Sequence, residues 1–167
     1  MRFFATILFA CFLLFQGCKI EYSMNGASIE PEVKTVSVAY FVNNASMAHP
    51  NCGQLFTESL KDIMMNQTRL SLLPSKGDIT YEGSITGYEI RPVAISGNET
   101  ASTNRLTITV QVKYVNTKNE KKNFESSFTR FADFESSETL SSIEENLIRQ
   151  INDQLVQDIF DKSLSSW

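Results

Sequence analysis

The sequence predicts an α+β fold: a two-layer sandwich in which a mainly antiparallel four-stranded sheet packs against two helices, in the order β-α-β-β-β-α. Three observations predict it. Several stretches alternate apolar and polar residues with period two, the mark of half-buried strands. Two longer stretches repeat apolar residues every three or four positions, the mark of amphipathic helices. The third is length: 167 residues, less an apolar leader, suit one domain with a single core.

The elements follow in order. Residues 33–42 alternate Val36, Val38, Tyr40 and Val42 against Thr35, Ser37, Ala39 and Phe41, a well-buried strand because neither face is very polar. Residues 51–67 place Phe56, Leu60, Ile63 and Met64 on one helical face, with Asn51 and Gln54 supplying the chemistry that opens a helix. Leu70 to Leu73 reads as a short apolar exit able to pack under the sheet. Residues 78–95 alternate Ile79, Tyr81, Gly83, Ile85 and Gly87 against Thr80, Glu82, Ser84, Thr86 and Tyr88. The glycines there point to a close neighbour or a bend, and Pro92 limits interior pairing. Residues 96–99 form a hairpin turn, and residues 105–115 put Leu106, Ile108, Val110, Val112 and Tyr114 on one face with Thr107, Thr109, Gln111 and Lys113 on the other. After an Asn- and Lys-rich turn at 116–123, residues 124–134 form a strand. Phe124 and Phe128 are read as in phase, Phe131 and Phe134 as out of it, which predicts a bulge or a strand covered on both faces. Residues 137–163 carry Leu140, Ile143, Leu147, Ile151, Leu155 and Ile159 as the stripe of the second helix, with acids near its start and Lys162 at its end. The sheet face bearing Thr107, Thr109, Gln111 and Lys113 is expected to meet solvent or a partner.

The leader is as informative as the body. Residues 1–17 hold Arg2 and then an almost wholly apolar run from Phe3 to Phe15, fitting a secretory signal and too short for a typical membrane span. Gly17 precedes Cys18, so the stretch reads as a lipoprotein processing site with Cys18 as the lipidated first mature residue; an ordinary secreted protein cut nearby is the alternative. The expected organisation is a signal peptide at 1–17, a lipidated tether at 18–32 and a single sandwich domain at 33–167. Several acyl chains make a stable membrane anchor where one is marginal. Lys19 after Cys18, by the sorting logic of Gram-negative lipoproteins, favours the outer membrane. With Cys11 removed, Cys18 and Cys52 remain: lipidation of Cys18 leaves Cys52 alone, and secretion without lipid would let them pair as a disulfide. The Asn-x-Ser/Thr sites at Asn44, Asn66 and Asn98 are read as chance in an Asn/Ser/Thr-rich bacterial chain.

A net charge of −4 argues against a general nucleic-acid binder. No metal-ligand spacing, nucleophile elbow, phosphate-binding loop or zinc-protease motif is present, and no cofactor is implied. His49 and Cys52 are the one thiol–imidazole neighbourhood, lacking an orienting third group at recognisable spacing, and Asp133 with Glu135 reads as turn and helix-entry chemistry. An enzyme is therefore not expected. Arg91, Arg105, Lys113 and Arg130 lie on or beside strands, where they are candidates to meet lipid phosphates on the exposed face or are solvated surface charge.

Across the mature chain, Tyr22-Ser-Met-Asn-Gly-Ala-Ser28, Lys34-Thr-Val-Ser-Val38, Gln67-Thr-Arg-Leu70, Gly83-Ser-Ile-Thr-Gly-Tyr88, Asn104-Arg-Leu-Thr-Ile-Thr-Val110, Phe131-Ala-Asp-Phe134 and Gln154-Leu-Val-Gln-Asp-Ile-Phe160 resemble, in order and spacing, the LptE family of lipopolysaccharide-assembly lipoproteins in its Bacteroidetes-type form. The resemblance implies a lipid-anchored outer-membrane protein whose domain plugs the lumen of, or faces the periplasm beside, a large β-barrel translocon, LptD. Such a protein assists assembly of the barrel and insertion of lipopolysaccharide into the outer leaflet, and lipopolysaccharide itself is a possible direct ligand. Because the chain has little likeness to the proteobacterial members, the resemblance transfers none of their lipid-contacting residues to positions here. A stand-alone lipid-binding or carrier lipoprotein of the periplasm is the alternative reading.

Overall fold

Strand β5 (Thr103–Asn116) is the axis of the sheet, and it behaves as its strict alternation demands. Leu106, Ile108, Val110, Val112 and Tyr114 are all buried beneath the helices, while Lys113 is exposed on the opposite face. The computed structural model describes residues 29–93 and 103–164. The signal segment, Cys18, nearly all of the tether and the turn at 96–99 lie outside the described residues.

The other elements are β1 (Thr35–Val38), β2 (Val42–Asn43), α1 (Cys52–Gln67), β3 (Ser71–Leu73), β4 (Ile79–Val93), a 3₁₀ turn (Glu120–Lys122), β6 (Phe124–Glu135) and α2 (Leu140–Leu164). They form the expected α+β sandwich. The sheet, however, is six-stranded, in the order β3-β1-β4-β5-β6 with β2 also on β4. β4, β5 and β6 make the antiparallel meander, whereas β1 runs parallel to both β3 and β4. The residues read as an apolar exit are thus a strand: α1 carries the chain back so that Thr35, Val36 and Ser37 pair with Ser71, Leu72 and Leu73. So short a segment has no period to detect, and its partner creates it.

The predicted strand at 33–42 is broken in two. Val38 pairs with Tyr81 and Val42 with Ser84, so four steps on one strand match three on its neighbour. The extra residue reverses the phase: Phe41 is buried while Tyr40 and Val42 are exposed. The Phe41 amide leaves the ladder to donate to Thr57 Oγ1 on α1 at 3.0 Å, and the Phe41 ring meets Phe56 edge-on at 4.8 Å.

A second extra residue, Thr86, sits in β4 between the pairs Ile85–Val110 and Gly87–Thr109. It turns Tyr88 onto the buried face, against the alternation read from sequence, and the Tyr88 hydroxyl donates to Glu144 on α2. The expectation of a close neighbour at Gly83 holds: a Cβ there would lie 2.0 Å from the Gln111 carbonyl oxygen and 2.7 Å from the Phe41 ring. Pro92 is tolerated because it pairs with Asn104 where β4 has passed its last contact with β2.

β6 contains no bulge. Its register against β5 is continuous, so Phe124, Phe128 and Phe134 share one face and Phe131 alone projects from the other. At the start of α1, Asn51 occupies the cap position without a side-chain cap bond, and Gln54 donates to Glu58 instead of closing a capping box.

Asp78 fastens the near end of the sheet. Its carboxylate accepts the amides of Lys34 and Thr35 and the Thr35 hydroxyl, and it pairs with Lys118 at 3.1 Å. The Lys34 amide, then the Thr35 hydroxyl and Lys118, hold this carboxyl well below the usual carboxylate range. No helix among the described residues is long and apolar enough to cross a membrane.

Candidate functional site

The register of β4, β5 and β6 assembles one open sheet face. Opposite Arg105, Thr107, Gln111 and Lys113 stand Arg91, Glu89, Ser84 and Glu82 of β4. On the other side, Asp133, Phe131, Thr129, Ser127 and Glu125 of β6 stand opposite Arg105, Thr107, Thr109, Gln111 and Lys113. As expected, this face is left open by the helices, which cover the even-numbered side of β5.

Its centre is neutral and hydrogen-bonded. Thr109 and Thr129 hydroxyls lie 3.0 Å apart, Ser127 bonds Gln111, and Gln111 donates to Glu125 at 3.3 Å. Charge gathers at the two ends. At one, Lys113 lies 4.0 Å from Glu82. At the other, Arg91 pairs with Glu89 at 2.7 Å, and Asp133 takes Nε and Nη2 of Arg105 at 2.7 and 2.9 Å. The Arg105 guanidinium also lies 3.6 Å above the Phe131 ring. The bond to Asp133 raises the Arg105 pKa and, reciprocally, lowers that of Asp133.

Three of the four candidate cations, Arg91, Arg105 and Lys113, therefore share the open face. Arg130 does not. It stands opposite Ile108, on the helix side, and binds Asp158 of α2 through Nε and Nη2 at 2.6 and 2.7 Å. It ties the edge of the sheet to a helix. Arg91 directly faces Arg105 across the strands, a like-charge juxtaposition that is unfavourable unless carboxylates or an anion relieve it. These ion pairs are exposed, so solvent screens them and they are readily exchanged for another anion.

Asp133 and Phe131 were not legible as partners of Arg105 from sequence. Only the pairing sum of the two strands brings them together, and the one prior signal was an aromatic on a polar strand face.

The thiol–imidazole pair is not arranged for nucleophilic work. Cys52 is fully buried, and desolvation, with the Glu144 charge, pushes its thiol up to about 11. His49 uses its carbonyl to accept the Cys52 amide at 2.9 Å and its Nδ1 to accept the Asn51 amide at 3.3 Å. Between the helices lies an open polar cleft of about 440 Å³, lined by Asp62, Asn66, Arg149, Asp153 and Gln157 among others.

The lipopolysaccharide-assembly family model, LptE, matches residues 33–163. The chain belongs to the LptE family. That membership makes it a lipopolysaccharide-assembly protein. No curated protein matches this LptE-family chain. Among solved structures it is similar to lipoprotein B of Nitrosomonas europaea, with a TM-score of 0.50, 17% identity, and coverage of 87% of this chain and 88% of that one. It is also similar to a protein from Xanthomonas campestris, with a TM-score of 0.51, 11% identity, and coverage of 83% and 90%. A minor lipoprotein from Acinetobacter baumannii shares 20% identity at a TM-score of 0.46, covering 78% and 91%. At such identities the first two likenesses speak to the fold alone.

Proposed function

We propose that this LptE-family chain is a Bacteroidetes-type outer-membrane lipoprotein that plugs and helps assemble an LptD-type β-barrel translocon, supporting insertion of lipopolysaccharide into the outer leaflet. The observation that carries this reading is the family match over residues 33–163. Residues 1–17 serve as signal peptide, Cys18 carries the acyl chains, residues 18–32 tether, and the domain from 33 onward is the working part. The protein does no chemistry of its own: it acts by occupying and shaping its partner. Its open sheet face favours such a role, since a neutral, hydroxyl-rich centre bordered by exchangeable ion pairs suits a wet, polar contact rather than a dry one.

Detergent extraction of the native lipoprotein tests this directly. A large outer-membrane barrel is expected to co-purify, and depletion of the lipoprotein is expected to lower surface lipopolysaccharide. If no barrel accompanies it, the plug reading fails.

A second reading, direct binding of lipopolysaccharide with or without a barrel, is favoured by one observation: the facing guanidinium groups of Arg91 and Arg105. Phosphates of the glycolipid would bridge them, displacing Glu89 and Asp133, with Lys113 at the opposite end of the face and Arg130 outside it. Arg91→Gln combined with Arg105→Gln is expected to abolish binding of purified lipopolysaccharide, and unchanged binding removes these residues as the site.

A further inference from the structure

The tether joins the domain at one end of the sandwich. Ile29 packs against the core, and the Glu30 carboxylate is held where β5 turns into β6: by Lys122 at 2.8 Å, Asn119 at 3.1 Å and Asn116 at 3.5 Å. The Glu30 carbonyl accepts the Val33 amide at 2.9 Å, so the chain passes from this point directly into β1. From Asn116, β5 extends back to Thr103 at the opposite end of the sheet. At the usual rise per residue, Arg105 and the Arg91 opposite it stand roughly 36 Å from the root of the tether. Residues 18–28 span at most about 40 Å when fully extended. The lead is thus no longer than the sheet, and the two ends of the domain are not equally placed to meet the leaflet that holds the anchor.

Charge separates the ends in the same sense. At the tether end, Glu30 and Asp78 are each paired with a lysine, Lys122 and Lys118, while Glu32 and Glu120 are matched in number by Lys34 and Lys121. That end is close to neutral. At the other end, Glu89 and Asp133 offset Arg91 and Arg105, and the chain then adds Glu135, Glu138, Glu144 and Glu145 before its next base, Arg149. That end is acidic. A headgroup layer containing anionic phospholipid repels the acidic end and tolerates the neutral one.

We propose that the β5–β6 turn end of the domain faces the phospholipid headgroups of the leaflet that holds the acyl chains, with the Arg91–Arg105 end directed away from it. This orientation rests on the reading of Cys18 as the acylated residue and needs no barrel. An anion that reaches Arg91 and Arg105 then comes from beyond the headgroups of that leaflet.

The test uses the native lipoprotein, added from detergent to preformed vesicles of phosphatidylethanolamine and phosphatidylglycerol. Energy transfer is measured from a dye on one introduced cysteine to acceptors on the lipid headgroups. Cys52 is fully buried and does not compete for the dye. Lys121→Cys, Thr129→Cys and Glu138→Cys sample the turn, the middle of the sheet and the far end, and all three positions are exposed. Transfer is expected to fall severalfold from K121C to E138C, with T129C between them, over roughly 40 Å of sheet. Equal transfer at the three positions, or the reverse order, overturns the orientation. The mass of the purified protein keeps the two readings apart. Acyl groups on Cys18 with a flat transfer profile refute the orientation alone, whereas a chain without them refutes the anchor and the orientation together.

Discussion

The two faces of the same three strands differ in what holds them. On the helix face, Leu106, Ile108, Val110 and Val112 of β5 and Tyr81 of β4 are wholly buried, as is Phe56 of the covering helix α1. On the open face the same strands carry threonine, glutamine, serine and ion pairs that remain in contact with water. Alternation with period two makes this division possible, since each step along β5 crosses from one environment to the other. The helix face holds the fold by burial, a non-directional force that tolerates no voids. The open face contributes little to stability, and its residues are free to be set by what the protein meets.

That contrast is sharpest where a buried ring is removed. Phe56→Ala deletes a side chain with no exposure that packs against Phe41, and is expected to cost about 3–5 kcal/mol in denaturant unfolding. Thr107→Ala, on the open face of the adjoining meander, is expected to change stability by no more than about 0.5 kcal/mol. Comparable losses at the two positions would end the distinction between the faces.

The helix face has internal exceptions among the described residues, the Tyr114 hydroxyl of β5 and, with two unpartnered atoms, Asn152. Asn152 of α2 is fully buried, and neither its Oδ1 nor its Nδ2 has a hydrogen-bond partner. Asn152→Leu is expected to raise stability by about 1–3 kcal/mol by removing an uncompensated amide. A lower unfolding midpoint in this variant would instead show that the amide is satisfied in solution, by water or by a partner.

Asp78 sharpens the comparison along the pH axis, because the near end of the sheet is fastened by a carboxylate rather than by burial. Its folded pKa is depressed below the unfolded value, so its contribution is present above about pH 4 and is lost as pH falls through the folded pKa. Asp78→Asn is expected to be less stable than the parent at neutral pH and to lose less on acidification from about pH 5 to about pH 2. Parallel pH–stability curves for the two proteins would refute the assignment.

The smallest expected effect is at the open face's charged end. Arg105→Gln breaks an exposed pair with Asp133, and its thermal midpoint is expected to stay close to the parent's while its apparent affinity for lipopolysaccharide falls. A large thermal loss would mean that the Arg105–Asp133–Phe131 arrangement is a structural fastening.

Much of this was legible where a segment's own pattern is long. β5 shows five buried residues in strict alternation, and α1 and α2 show stripes that persist over several turns, so their burial follows from spacing alone. The failures are local and share one cause. One extra residue after Val38 moved Phe41 inward, another at Thr86 moved Tyr88 inward, and each depends on the neighbouring strand having one residue fewer. In β6 the opposite happened, since Phe134 needed no bulge to share a face with Phe124. The candidate site suffered the same way: four cations were visible, but their carboxylate partners and the displacement of Arg130 to the other face were not.

By itself, then, the sequence determined the two-layer class, the two helices, the meander and which side of β5 is buried, because periodicity is a property of one segment. Tertiary structure decided the six-stranded order, the parallel β1–β3 pair, the phase of Phe41 and Tyr88, and the joining of Arg105 to Asp133 over Phe131. These depend on register, the relation between two segments, and register is settled only when strands compete for the same partner and the core accepts one fit.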